Sequence, residues 1–293
     1  PRSGYFVLYR PEEYWQAAPT EEELSPLPAP RPLLQDAFPF SVLAKAMRRM
    51  LSTMGEQLLQ KSPNWGCPVL RSAIAAYLAR SRSIFVRAAQ IVIGSGAEYL
   101  YSLIAQLLSR ERIYGLESPS YEKIRRVYEA LGVTCDLLKL GGDGIRSTEL
   151  ARTHASVLHV TPFRSFPSGV TASASKRWQY LHWAEAREGF LIEDDFSSEF
   201  SLSSKSEDTL FSLAQQQRVI YLNTFSKTIA PSLRIGYMVL PENLLLPFQQ
   251  RLGFYSCTVP TFEQYVLADL LNSGDFERHI NRIRRKKRQQ KEE

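Results

Sequence analysis

The chain has 293 residues, of which 44% are apolar and 23% charged, and it carries a net charge of +6. That balance belongs to a folded globular protein and excludes disordered, collagen-like and disulfide-scaffold chains. No apolar run approaches the roughly 20 residues that span a bilayer, and the opening PRSGYFVLYR lacks the apolar stretch of a secretory leader, so no membrane partner is expected. Cys67, Cys135 and Cys257 are odd in number, widely spaced and without a CxxC pair. They favour a reducing, cytoplasmic setting over a disulfide framework or a zinc cluster.

Residues 11–36 read as a linker, acidic first (EEYW, EEEL) and then proline-rich (SPLPAPRPLL), partly extended by its prolines. Residues 41–59 repeat apolar character at helical spacing, and VLRSAIAAYLARS predicts a second helix. From there short apolar runs alternate with helical stretches. Seven candidate strands follow: QIVIGSG, RIYGLES, VTCDLLKL, SVLHVTP, GFLIEDDF, VIYLNTF and IGYMVLP. Helices such as AEYLYSLIAQLLS, YEKIRRVYEALG and SASKRWQYLHWAEAREG separate several of them. The alternation predicts an α/β domain with a mainly parallel sheet of about seven strands flanked by helices. The stretch from His279, HINRIRRKKRQQKEE, is strongly basic and reads either as a solvated helix face or as a nucleic-acid surface.

Ligands of such sheets bind at the carboxyl ends of the strands. The polar residues closing the candidate strands are Gly94-Ser95-Gly96, Glu117-Ser118, Thr161, Glu193-Asp194-Asp195 and Asn223 to Lys227. GSGAEYLYSL places two glycines and a serine between strand and helix, an anion site if a ligand is present and a tight turn if not. In LIEDDF, strand alternation puts Glu193 and Asp195 on one face and Asp194 on the other, free to meet a bound cation. In NTFSKTIAPSLRIGY, Lys227 and Arg234 stand in a stretch that otherwise reads as buried. A lysine in a partly apolar pocket has a lowered pKa and can condense with a carbonyl, and a guanidinium matches phosphate geometry.

One cofactor uses all of these groups. Pyridoxal 5′-phosphate needs a lysine for its aldehyde, a carboxylate for its ring nitrogen and a cup for its phosphate. Here those parts are Lys227, Asp194, and Gly96-Ala97 with Arg234.

NTFSKTIAPSLRIGY resembles the lysine segment of fold-type I pyridoxal-phosphate proteins, and more narrowly of the MocR branch of the GntR regulators. IEDDFSSEF is similar to that branch's EDDYDSEF, GSGAEYLYSL to its phosphate-binding turn, ESPSY to its aromatic segment and TPFRSFPSG to its TPxHQxPTG. WGCPVLRSAIAAYLARSR resembles its GxxxLRxAIAxYL helix, and the matches run in order from about residue 34 to residue 283. RSGYFV, at residues 2–7, resembles the closing wing of the branch's winged helix-turn-helix.

The resemblance implies a pyridoxal-phosphate transferase-like fold. Its expected divisions are a residual wing over residues 1–10, the linker over 11–36, a large domain over 37–245 and the helical start of a small domain over 246–293. Residues 37–60 are assigned to the large domain, with the small domain as the alternative, and most of the DNA-binding head and of the small domain would be missing. The implied roles are Lys227 as the Schiff-base lysine, Asp194 as the ring-nitrogen partner, and Ser95, Gly96 and Ala97 as phosphate binders helped by Thr224, Ser226 and Arg234. Tyr121 would lie against the cofactor ring. Phe196 stands where a tyrosine is usual and has no hydroxyl to give, Arg164-Ser165 replaces His-Gln, and Lys123 holds a place where some members carry a carboxylate-binding arginine.

Three functions remain open. The leading one is a regulator's effector domain that holds the cofactor as an internal aldimine, senses an amino acid or amine, and acts on DNA through an attached head. The others are an amino-acid aminotransferase and a binding scaffold without cofactor chemistry. The resemblance also implies a homodimer.

Overall fold

The computed structural model describes residues 37–196, 199, 207–214 and 218–292. The expected wing end and linker, residues 1–36, lie outside the described residues. Seven of the eight described strands fall on the seven apolar runs. They are β1 (Ile91–Gly94), β2 (Tyr114–Ser118), β3 (Cys135–Gly141), β5 (Val157–Val160), β6 (Phe190–Asp194), β7 (Val219–Thr224) and β8 (Gly236–Val239). The eighth, β4 (Gly144–Ile145), is a two-residue edge strand that pairs antiparallel with β3. The sheet order is β1-β8-β7-β6-β5-β2-β3-β4. Neighbours from β7 through β3 run parallel, whereas β8 runs antiparallel to both β1 and β7.

Continuous apolar strands are what a sheet covered on both faces requires. Every residue of β1, β5 and β8 is buried. On one face lie α1 (Phe40–Met54), α2 (Pro68–Arg82), α6 (Ala174–Ala186), α9 (Thr261–Asn272) and α10 (Asp275–Glu292), which share a core with Ile91, Leu158, Leu191, Tyr221 and Tyr237. On the other lie α3 (Ala97–Leu108), α4 (Glu122–Ala130) and α8 (Glu242–Leu252), packed on Val92, Val157, Ile192, Leu222 and Met238. Helix α4 shows the logic in miniature. It buries Ile124 and Tyr128 four residues apart and pairs Arg126 with Glu122 and Arg125 with Glu129 on its outer side. Two further short helices, α5 (Ser147–Arg152) and α7 (Leu210–Leu213), precede β5 and β7. The boundary expected at 245 falls inside α8, and α1 packs on α9. Among the described residues no helix is long and apolar enough to cross a membrane.

The α2 face of the sheet buries an acidic cluster. Asp195 forms an ion pair with the Arg82 guanidinium, 2.8 Å away, and accepts from the Tyr221 hydroxyl at 2.7 Å. Glu193 accepts from the Leu210 and Phe211 amides, both at 2.9 Å, and Glu199 from the Asn223 side chain at 2.7 Å. Burial, and then the charge of Asp195, pushes Glu193 up to about 8 and Glu199 up to about 7. The folded chain therefore keeps protons that unfolded glutamates, titrating near ~4.3, have already released. Holding the protonated form stabilises the fold at low pH, and this stabilisation is lost as pH rises from about 4 through about 8. Thermal melts should give a lower Tm at pH 8 than at pH 6, and a Glu193→Gln variant should flatten that slope.

Candidate functional site

Strands β1, β2, β5, β6 and β7 all end at one edge of the sheet. Because β8 is reversed, the residues leading into it reach the same edge, so Arg234 arrives beside the ends of strands that precede it by as much as 140 residues. A cavity of about 300 Å³ opens there. Asp194, Lys227, Thr224, Ser226 and Arg234 line one part of it, and Ala97, Tyr121 and Phe196 another. A slightly larger hollow of about 390 Å³ lies between α2 and α10 and holds none of these strand-end residues.

Asp194 occupies the face that strand alternation assigns it, apart from Glu193 and Asp195. The carboxylate is 1% exposed. Its Oδ2 accepts from the Tyr101 hydroxyl and lies 3.4 Å from His159 Nε2. The other face of that imidazole meets the Tyr128 hydroxyl at 2.8 Å from Nδ1. Burial first, and Asp194 second, hold the Tyr101 hydroxyl well above the usual phenol range, so it stays a donor. Asp194 Oδ1 is buried and has no hydrogen-bond partner among the described residues. A buried carboxylate oxygen left unpaired is costly, and one that borders a cavity calls for a donor inside it.

Lys227 is exposed rather than buried, as the apolar run had suggested, and its open surface faces the cavity. Its Nζ lies 4.7 Å from the centre of the Phe196 ring. Partial burial, then the charges of Arg164 and Lys287, lower its pKa below the usual lysine value. The turn carrying it is stitched locally. Ser226 Oγ donates to Leu233 O at 2.9 Å, Ser226 N–H to Thr224 Oγ1 at 3.0 Å, and Phe225 N–H to Ile235 O at 2.9 Å.

Arg234 departs from expectation as well. Its side chain is 50% exposed and pairs with Glu98, which also accepts from Lys123 at 3.2 Å. It lies across Gly96, where φ is +91° and an added Cβ would come 2.7 Å from the guanidinium, so glycine is required. Two amides expected to face an anion are already used. Ser95 N–H donates to Thr258 Oγ1 at 3.0 Å and Gly96 N–H to Gly94 O at 2.8 Å. Donors for an anion therefore begin at Ala97, in the first turn of α3, whose amides lack intrahelical partners. Tyr121 stands at the rim, 6.3 Å from the Phe166 ring in an edge-on contact.

Tyr101, His159, Tyr128, Glu98 and Thr258 were not singled out from the sequence. Tyr101 and His159 sit in apolar helical and strand runs, where they read as core.

These residues fit pyridoxal phosphate: an amine at the cavity, a carboxylate with one oxygen unspent, and an arginine beside helix-end amides. The chain belongs to the aminotransferase class I and II family, which it matches over residues 32–293. It is 32% identical over 98% of its length to YdeL, an uncharacterised HTH-type transcriptional regulator of Bacillus subtilis, and spans 65% of that protein. It is 30% identical over 85% of its length to MocR of Rhizobium meliloti, a probable rhizopine catabolism regulatory protein, and spans 51% of it. The chain thus covers about half to two-thirds of these regulators. Among solved structures it is similar to LysN, an α-aminoadipate aminotransferase of Thermus thermophilus complexed with N-(5′-phosphopyridoxyl)-L-leucine. The identity is 27% and the TM-score 0.75, over 86% of this chain and 65% of that one.

Proposed function

We propose that the chain is the pyridoxal-phosphate-binding effector portion of a MocR-type transcriptional regulator, sensing an amino compound at Lys227. The observation that carries this reading is the unspent Asp194 Oδ1 bordering the same cavity as Lys227 and Arg234. Family membership and the likeness to regulators support it. When bound, the cofactor supplies an aldehyde carbon and an electron-withdrawing ring.

The chain's own residues do the rest. Lys227 Nζ is the nucleophilic amine, and its lowered pKa keeps more of it unprotonated near neutrality. Asp194, held by Tyr101 and flanked by His159, would hold the cofactor's ring nitrogen through its unspent Oδ1. Arg234 and the first amides of α3 would hold the phosphate. Phe196 packs beneath Lys227 but offers no hydroxyl, which favours binding over turnover. In this reading DNA is reached through an attached winged helix, residues 246–293 with α1 begin the small domain, and the working form is a cytoplasmic homodimer.

The test is an absorbance titration of the chain with pyridoxal phosphate, followed by a screen of amines. A reversible spectral shift without keto-acid release supports sensing. Steady keto-acid release instead makes the chain an aminotransferase.

Arg234 must leave Glu98 to serve a phosphate. Glu98→Gln should therefore tighten pyridoxal-phosphate binding about two- to fivefold, the scale of an exposed ion pair. An unchanged or weaker affinity in that titration would assign Glu98 a supporting role instead.

A further inference from the structure

Three buried aromatic side chains from three different elements close around Asp194. They are Tyr101 on α3, Tyr128 on α4 and His159 on β5, each at most 2% exposed. The imidazole meets the Tyr101 ring edge-on at 5.0 Å and the Tyr128 ring at 5.7 Å, so packing fixes its plane. What remains to be set is where its hydrogen sits. Tyr128 also ties this group to the cavity, because Ile124, one turn earlier on α4, lines the cavity wall.

Hydrogen-bond capacity decides it. The Tyr101 hydroxyl donates to Asp194 Oδ2. Burial first, then Tyr114 and Asp194 nearby, hold the Tyr128 hydroxyl well above the usual phenol range, so it keeps a hydrogen to donate. The acceptor that this hydroxyl meets is His159 Nδ1, 2.8 Å away. A hydrogen on Nδ1 would leave the phenol hydrogen without that acceptor. With Nδ1 alone protonated, a bare Nε2 would also face the Asp194 oxygen 3.4 Å away, lone pair against lone pair. A hydrogen on Nε2 removes both conflicts: the phenol donates to Nδ1, and an N–H faces Oδ2 as a long polar contact. Nε2 has no hydrogen-bond partner among the described residues, so no competing acceptor there draws that N–H elsewhere.

We propose that Tyr128 is a positioning residue for the cofactor site. Its hydroxyl reserves His159 Nδ1 as an acceptor, so His159 presents an N–H to Asp194 Oδ2 and leaves Oδ1 to a donor in the cavity. In an imidazole the bond made by one nitrogen sets the state of the other. A second hydrogen, on Nδ1, would make the ring a cation beside Asp194 and offset the carboxylate charge that a protonated ring nitrogen needs. The consequence for pyridoxal phosphate rests on the reading of Asp194 as its ring-nitrogen partner, whereas the hydrogen placement does not.

The test begins with nitrogen NMR of the 293-residue chain without cofactor, near neutral pH. Of the four histidines, His159 is identified by the signals that His159→Gln removes. The wild-type ring should carry hydrogen on Nε2 and none on Nδ1. Tyr128→Phe keeps the ring and removes the hydroxyl, and Nδ1 should then carry hydrogen in a larger share of molecules. Tyr114→Phe is the control. The Tyr114 ring lies 4.9 Å from that of Tyr128, but its hydroxyl donates to Ser109 O at 3.4 Å, so His159 should not change. For pyridoxal phosphate, Tyr128→Phe should weaken binding roughly threefold to tenfold, the worth of one hydrogen bond. It should leave unchanged the binding of the carbocyclic analogue, whose ring has C–H in place of nitrogen. Three results would overturn the role: hydrogen on Nδ1 in the wild-type chain, an Nδ1 unaffected by Tyr128→Phe, or cofactor binding that is unchanged or falls equally with the analogue's. Failure of the wild-type chain to bind pyridoxal phosphate, with the nitrogen pattern as expected, would instead remove the proposed function and leave the hydrogen placement standing.

Discussion

Lys227→Ala is expected to abolish covalent capture of pyridoxal phosphate. After borohydride reduction, the wild-type chain should carry one pyridoxyl group on the peptide that contains Lys227, and the variant none. The expectation follows from geometry. Among the residues lining the cavity, Lys227 supplies the amine, and its pKa lies below that of an ordinary lysine because of partial burial, Arg164 and Lys287. The same shift fixes the pH dependence. The unprotonated amine is the reactive form, so the loading rate should climb with pH and level off below the usual lysine value of about 10.4. Removing a nearby cation should move the midpoint upward. Because Lys227 is exposed to the cavity, the alanine variant should melt within about 1 °C of wild type, as surface changes usually do. Labelling at another lysine in the wild-type chain would refute the assignment.

Arg82→Met should cost about 3–5 kcal/mol of stability, read from urea unfolding, because it leaves a buried charge without its partner. Arg82 is nearly as buried as Asp195, its partner at 2.8 Å, and Glu193 and Glu199 lie in the same cluster. Its guanidinium also lies 4.8 Å from the centre of the Phe163 ring, a contact that methionine only partly replaces. In the variant the cluster loses the Arg82 charge, so the loss should be greatest above pH 8 and should shrink as Glu193 and Glu199 take up protons. A loss below about 1 kcal/mol would mean that water reaches the cluster.

Much of this fold is legible in the sequence because a parallel sheet covered on both faces forces its strands into unbroken apolar runs. The two-residue β4 carries no such run and escapes notice. Asp194 could be separated from its neighbours because side chains alternate along a strand. Its partners could not. Tyr101 and His159 are 93 and 35 positions away, and each looks like core in its own element until the sheet order brings α3, β5 and β6 together. The exposure of Arg234 was hidden for a related reason. Apolar neighbours suggested burial, yet a reversed strand delivers its leading residues to the open edge. The Ser95 amide is taken by Thr258, 163 positions away, a pairing that local sequence cannot announce.

The short connection between β7 and β8 acts as a ruler. Lys227 and Arg234 are both attached to it, and its own bonds, from Ser226 to Leu233 and from Phe225 to Ile235, set their separation. Changes elsewhere that loosen the helical layers should lower overall stability long before they alter the span between amine and guanidinium. A single residue inserted between Thr228 and Leu233 should do the reverse, leaving the melting temperature nearly untouched while uncoupling the two ends of the ligand.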